Sequence, residues 1–158
     1  MKFTMVLTCV VLASTPATAQ APDVQAMAYG PPISAEEAMT LIRSGIDQSA
    51  AKGLKMAFAV VEPSGELVAF AKMDNAPYAS TQLAQQKART SARLKLTTAN
   101  MEERVQGGRT ALITSDEVLA VGGGVPIVAG GRVVGALGVS GATAAEDAAL
   151  AAALVAAR

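Results

Sequence analysis

The chain has 158 residues, 51% of them hydrophobic but only 3% aromatic, with 13 basic against 13 acidic side chains. It contains no histidine, which excludes every mechanism that needs an imidazole as base, triad member, metal ligand or haem ligand. A balanced charge offers no basic footprint for nucleic acid, and so apolar a composition is incompatible with intrinsic disorder.

The first 19 residues have the three-part layout of a secretory signal. Lys2 precedes an apolar run from Met5 to Ala13, and the small-residue site Ala17-Thr18-Ala19 stands before Gln20. That run is far shorter than the roughly 20 residues a membrane-spanning helix needs. The layout predicts cleavage after Ala19 and export to a periplasmic or extracellular destination. Cys9 is the only cysteine and leaves with the signal, so no disulfide supports the exported chain. Residues 20–32 hold Pro22, Gly30, Pro31 and Pro32 without periodicity, which predicts a mobile arm.

The domain begins at Ile33. Ser34 and Glu37 form a capping box, and apolar residues at Ala38, Leu41, Ile42 and Ile46 follow at helical spacing until Gly53 stops the helix. Met56 to Glu62 and Leu67 to Met73 read as two strands joined by the turn Pro63-Ser64-Gly65-Glu66. The first strand is apolar at every position from Met56 to Val61, the signature of a central strand covered on both faces. After the loop Asp74 to Tyr78, the segment from Ser80 to Lys95 lacks Gly and Pro and reads as a second helix. A shorter third helix, starting at Thr98 or Asn100, runs to Gln106 before Gly107-Gly108. Val125 to Ala129 and Arg132 to Ser140 form a second hairpin across Gly130-Gly131. Thr143 with Glu146 caps a final alanine-rich helix. Two antiparallel hairpins separated by helices predict an α+β sandwich in a single domain, residues 33–158. Its sheet has about five strands with helices on its faces, and it is not doubly wound.

Several patterns suggest chemistry. Gly122-Gly123-Gly124 lacks the lysine and hydroxyl of a phosphate loop and lies at the start of a strand, so it reads as close backbone packing. Gly138-Val139-Ser140-Gly141-Ala142 resembles a nucleophile elbow, but its last glycine is replaced and no histidine exists to activate Ser140. The acidic pairs Glu36/Glu37, Glu102/Glu103, Asp116/Glu117 and Glu146/Asp147 read mainly as helix first-turn charges. Asp74, in a loop between strand and helix, is placed to position a ligand. Lys87, Arg89, Arg93 and Lys95 form a cationic run with no acid between Asp74 and Glu102. One or two of them are suited to hold a carboxylate or propionate, and composition does not choose between them.

The segments Ala57 to Gly65, Lys72-Met73-Asp74-Asn75-Ala76, Lys87 to Ala92, Gly123 to Ile127 and Gly135 to Ala142, in that order, resemble the GlcG and HbpS family. That family includes the C-terminal domain of PduO-type cobalamin adenosyltransferases. The resemblance runs from Ile33 to the C-terminus. It implies a profilin-like α+β fold, haem binding or degradation, and homo-oligomers. Residue by residue, it places a ligand-facing surface at Met73, Asp74 and Tyr78, at Lys87, Thr90 and Arg93, at Thr98, and at Gly123, Gly124 and Pro126. This chain departs from members that hold haem through histidine. Axial ligation would fall to Met73, Met101, Tyr78, Lys87, Thr90 or Thr98, with Arg89 or Arg93 on the propionates. The expectation is an exported, oligomeric binder of haem or a related small anionic ligand, with no partnership with nucleic acid and no membrane span. Two alternatives stand beside it. One is an enzyme or accessory protein using Asp74 and Lys87 on a small organic acid, and the other is a structural or sensory partner.

Overall fold

The computed structural model of the chain describes residues 23–158; the signal expected over 1–19 lies outside the described residues. Among the described residues, four α-helices and four strands follow in the order α1 (Ala35–Ala51), β1 (Ala57–Val61), β2 (Leu67–Lys72), α2 (Ser80–Leu94), α3 (Thr98–Gln106), β3 (Gly124–Ala129), β4 (Arg132–Ser140) and α4 (Ala144–Ala156). Both capping boxes form. The Glu37 N–H donates to Ser34 Oγ at 3.2 Å and the Glu146 N–H to Thr143 Oγ1 at 3.3 Å. Gly130 and Gly131 take φ of 55° and 71° in the β3–β4 turn, the left-handed pair that a two-residue hairpin with the native twist requires.

The sheet is wholly antiparallel in the order β2-β1-β4-β3, one strand fewer than the about five expected from patterning. In place of a fifth strand, residues 28–33 lie beside the part of β4 that projects past the end of β1. Tyr29 bridges Val133 in parallel, and the Ile33 N–H donates to the Val134 carbonyl at 2.8 Å. The segment expected to be a mobile arm is therefore tied down from Ala28 onward. The Tyr29 hydroxyl donates to carbonyls at the C-terminal end of α2, 2.8 Å from Arg93 O and 3.2 Å from Ala92 O.

As its continuous apolar run predicts, β1 is buried at every position between β2 and β4. Its alternate residues divide the interior in two. Phe58 and Val60 join Leu41, Ile42, Leu137, Val139, Leu150 and Leu154 under α1 and α4. Ala57, Ala59 and Val61 meet Ala84, Ala88 and Ala92 of α2 together with Ala136. This second layer is built almost entirely from small side chains, so α2 sits close against the sheet. A Cβ on Gly138 would strike the Ala84 carbonyl.

Candidate functional site

At one end of the sheet the start of β1, the end of β2, the end of β4 and the start of β3 come together, because Ala57 is paired with both Lys72 and Ser140, and Gly124 with Gly138. The Met73–Tyr78 loop, the glycine-rich segment 122–124 and the turn into α4 all emerge there. Beneath them lies a buried ion pair. Lys87 Nζ donates to Asp147 Oδ2 at 2.7 Å and to the Val139 carbonyl at 3.1 Å, and both side chains are at least 97% buried. Asp147 Oδ1 also accepts from the Ala142 N–H at 3.1 Å. Burial pushes the Asp147 carboxyl above its ordinary value, and the bond and charge of Lys87 pull against that rise. Charges so fully removed from water persist only when paired and hydrogen-bonded.

Around this pair the glycines perform a packing role. A Cβ on Gly123, whose φ is 129°, would meet Lys87 Nζ and the Val139 carbonyl, and one on Gly124 would strike the Lys87 carbonyl. The Gly124 N–H donates to the buried Thr98 Oγ1 at 2.7 Å, and the Gly122 N–H to Glu102 Oε2 at 2.9 Å. Thr90 is likewise engaged: its hydroxyl donates to the Glu117 carbonyl and accepts from the Leu119 N–H, both at 2.9 Å. Lys87, Thr90, Thr98, Gly123 and Gly124 thus form a buried polar frame joining α2, α3, β3 and α4. Pro126 is buried in the edge strand β3, where a missing N–H is tolerated.

The remaining predicted residues are elsewhere. Met73 packs partly buried against the larger core, while Asp74 is exposed before Asn75, whose φ of 64° completes the turn. Tyr78 is 94% exposed, with Lys72 Nζ 5.5 Å from its ring centre. Arg93 is held by Glu117 at 2.9 Å. Asp74 and Lys87 are not brought together as an acid/base pair, because the ammonium of Lys87 faces Asp147 and Val139. Sequence reasoning missed Asp147, grouping it with the capping acids. Glu146 satisfies the cap, and Asp147, one position on, points inward.

Three of the depressions in the surface adjoin α2. One of about 300 Å3 lies between α2 and the β1–β2 hairpin, a second of about 290 Å3 between α2 and residues 115–119, and a third of about 400 Å3 beside Tyr29 and Arg93. All are open. Among the described residues, no helix is long and apolar enough to cross a membrane.

These features define a small single-domain α+β protein whose buried polar segments brace a close-packed helix and whose accessible groups lie in open surface grooves. The family described as Haem degrading protein HbpS-like matches residues 33–156, and the chain belongs to that family. It is 36% identical over 108 residues to Protein GlcG of Escherichia coli strain K12, covering 68% of this chain and 81% of GlcG. The crystal structure of a double mutant of Streptomyces reticuli HbpS superposes with a TM-score of 0.75 at 25% identity, over 92% of this chain and 97% of that one. A crystal structure of a PduOC complex with haem has a TM-score of 0.72 at 24% identity, over 80% and 95% of the two chains, a likeness of fold.

Proposed function

We propose that this protein is an exported, self-associating haem binder in which the Tyr78 phenol would hold the iron. The observation that carries the reading is accessibility. Of the six candidate ligands that the resemblance implies, Lys87, Thr90, Thr98 and Met101 are buried and Met73 is packed into the core edge, whereas Tyr78 is 94% exposed. Phenolate oxygen is an established haem ligand, and it needs no imidazole. Lys72, 5.5 Å from the Tyr78 ring, supplies a cation for a propionate. The donor set therefore fits the group, although the grooves are too open to enclose it. A surface site of this kind suits transient holding of haem, and a second subunit would cover the other face. Bound haem would supply an iron centre open to ligand exchange. The protein's own part is to orient it through Tyr78 and to offset its carboxylate charge through Lys72. Export rests on the signal-like layout of residues 1–19.

Titration with haemin, followed in the Soret region together with solution mass, tests the proposal. A saturable shift at fixed stoichiometry is expected, with loss of the charge-transfer bands of a tyrosinate complex in Tyr78→Phe. An unchanged spectrum in Tyr78→Phe refutes the ligand assignment, and no saturable shift in the parent refutes haem binding. Mapping of the mature N-terminus and fractionation of the expressing cell test export, with Gln20 as the expected first residue.

A further inference from the structure

Within the cationic run of α2 the structure distinguishes one side chain from the rest. Lys87 is bound to Asp147 at 2.7 Å, Arg93 to Glu117 at 2.9 Å, and Lys95 Nζ to the Met27 carbonyl at 2.7 Å, 5.0 Å above the Tyr29 ring. Arg89 has only longer contacts, a hydrogen bond and an ion pair at the limit of each. Its Nε reaches the Gly65 carbonyl only at 3.5 Å, and Nη2 stands 3.9 Å from Glu66, beyond hydrogen-bond distance. The guanidinium is half exposed and stands where two grooves meet, because Gln86 and Arg89 line both. Gln82, Gln85 and Gln86 project from the same helical face at i−7, i−4 and i−3. Gln85 is tethered to the Thr81 carbonyl at 2.9 Å, and the amides of Gln82 and Gln86 are uncommitted among the described residues. The groove is anchored from below, since Gly65 packs its Cα against the Arg89 and Arg93 stems, where a Cβ would come within 3.0 Å of Arg89 Cγ.

We infer that the groove between α2 and the β1–β2 hairpin is a binding site for a small hydroxy-monocarboxylate, with Arg89 as the carboxylate anchor and Gln82 and Gln86 reading its hydroxyl groups. A planar guanidinium with free donors matches a carboxylate in a bidentate fork. Amides serve as donor and acceptor together, as a hydroxyl partner requires. Glu66 on the rim accepts from a hydroxyl and repels a second carboxylate, which selects one acid group over two. Gln82 lies four residues beyond Tyr78, so the groove is within reach of a haem held there; the site does not rest on the haem reading, and its carboxylate can come from either source.

A carboxylate reaches this groove either from a free acid or from a haem propionate, and the experiment separates the two. Side-chain amide resonances of Gln82 and Gln86 are followed by NMR in the full chain during titration with sodium lactate, with 1,2-propanediol as the carboxylate-free control, and during titration with haemin. The expected result is a saturable shift with lactate and none with the diol. Affinity should fall roughly tenfold or more in Arg89→Gln and stay near the parent value in Arg93→Gln, whose side chain is already paired. No saturable shift with lactate, or a lactate shift that survives Arg89→Gln, overturns the site. Shifts that arise with haemin alone and vanish in Arg89→Gln also overturn it, by assigning the guanidinium to a propionate.

Discussion

Replacing Lys87 by Met leaves the chain nearly isosteric and the Asp147 carboxylate buried without its cation. At 2.7 Å and an effective dielectric constant of about 20, the lost Coulomb attraction is roughly 6 kcal/mol. In the intact protein that attraction is offset by desolvation of several kcal/mol per ion, so the pair as a whole contributes little net stability. Removal of one member is different, with an expected cost of about 3–5 kcal/mol at neutral pH. The pH dependence fixes the cause. Asp147 already has its folded pKa above the ordinary value, and loss of Lys87 raises it further. A carboxyl shifted upward on folding favours the fold below its unfolded pKa, and that contribution disappears as pH rises through the folded pKa. The variant's deficit relative to the parent is therefore largest near pH 7 and shrinks as the solution is acidified toward about pH 4. Urea unfolding followed by far-UV circular dichroism is the appropriate assay, because the chain has no tryptophan. The double variant Lys87→Met with Asp147→Leu should recover most of the lost stability. A single-variant deficit below about 1 kcal/mol, or one equal at both pH values, refutes the argument.

Three further substitutions probe the frame. Gly138→Ala drives a Cβ into the Ala84 carbonyl, and an overpacking cost of at least roughly 1–3 kcal/mol should appear in the same unfolding assay. Thr98→Val removes the buried acceptor of the Gly124 N–H; the orphaned donor should cost about 1–3 kcal/mol, with amide exchange at Gly124 accelerated. Tyr29→Phe deletes the hydroxyl bound to the last carbonyls of α2, which should cost about 1 kcal/mol and raise exchange at the end of that helix and in residues 28–33 before it affects β1.

Most of the element order was readable because each signal was local. Capping boxes, the Gly130-Gly131 turn and the unbroken apolar run of β1 depend only on near neighbours in sequence, and each element formed where its signal lay. The strand count was less accessible, because the strand-like role of residues 28–33 depends on an opening beside β4 that exists only after β1 has ended. Those residues, with two prolines and a glycine, carry no strand pattern of their own. The site was less readable. Lys87 was read with the other cations as a ligand holder, although it falls in phase with Ser80, Ala84, Ala88 and Ser91 on the buried face of α2, and that phase is the signal that marks a buried ammonium. Its partner carried no such signal, since nothing at Glu146-Asp147 distinguishes a capping acid from an inward one until α4 is docked.

That same phase explains why the cations of α2 do different work. A helix pressed close to a sheet by alanines and glycine has one buried face and a narrow boundary on each side. Lys87 lies on the buried face and must find a counter-ion inside the protein. Arg93 and Lys95 lie near the helix end, where Glu117 pairs with the first and the Met27 carbonyl and Tyr29 ring receive the second. Arg89 lies at the midpoint of the exposed boundary, between the hairpin and the 115–119 segment, and neither brings an acid within hydrogen-bond distance. A run of like charges that is uniform in sequence is therefore divided, over little more than two helical turns, into a structural ion, two tethered cations and a guanidinium with only long contacts, and the last is the one whose donors a ligand can take most readily.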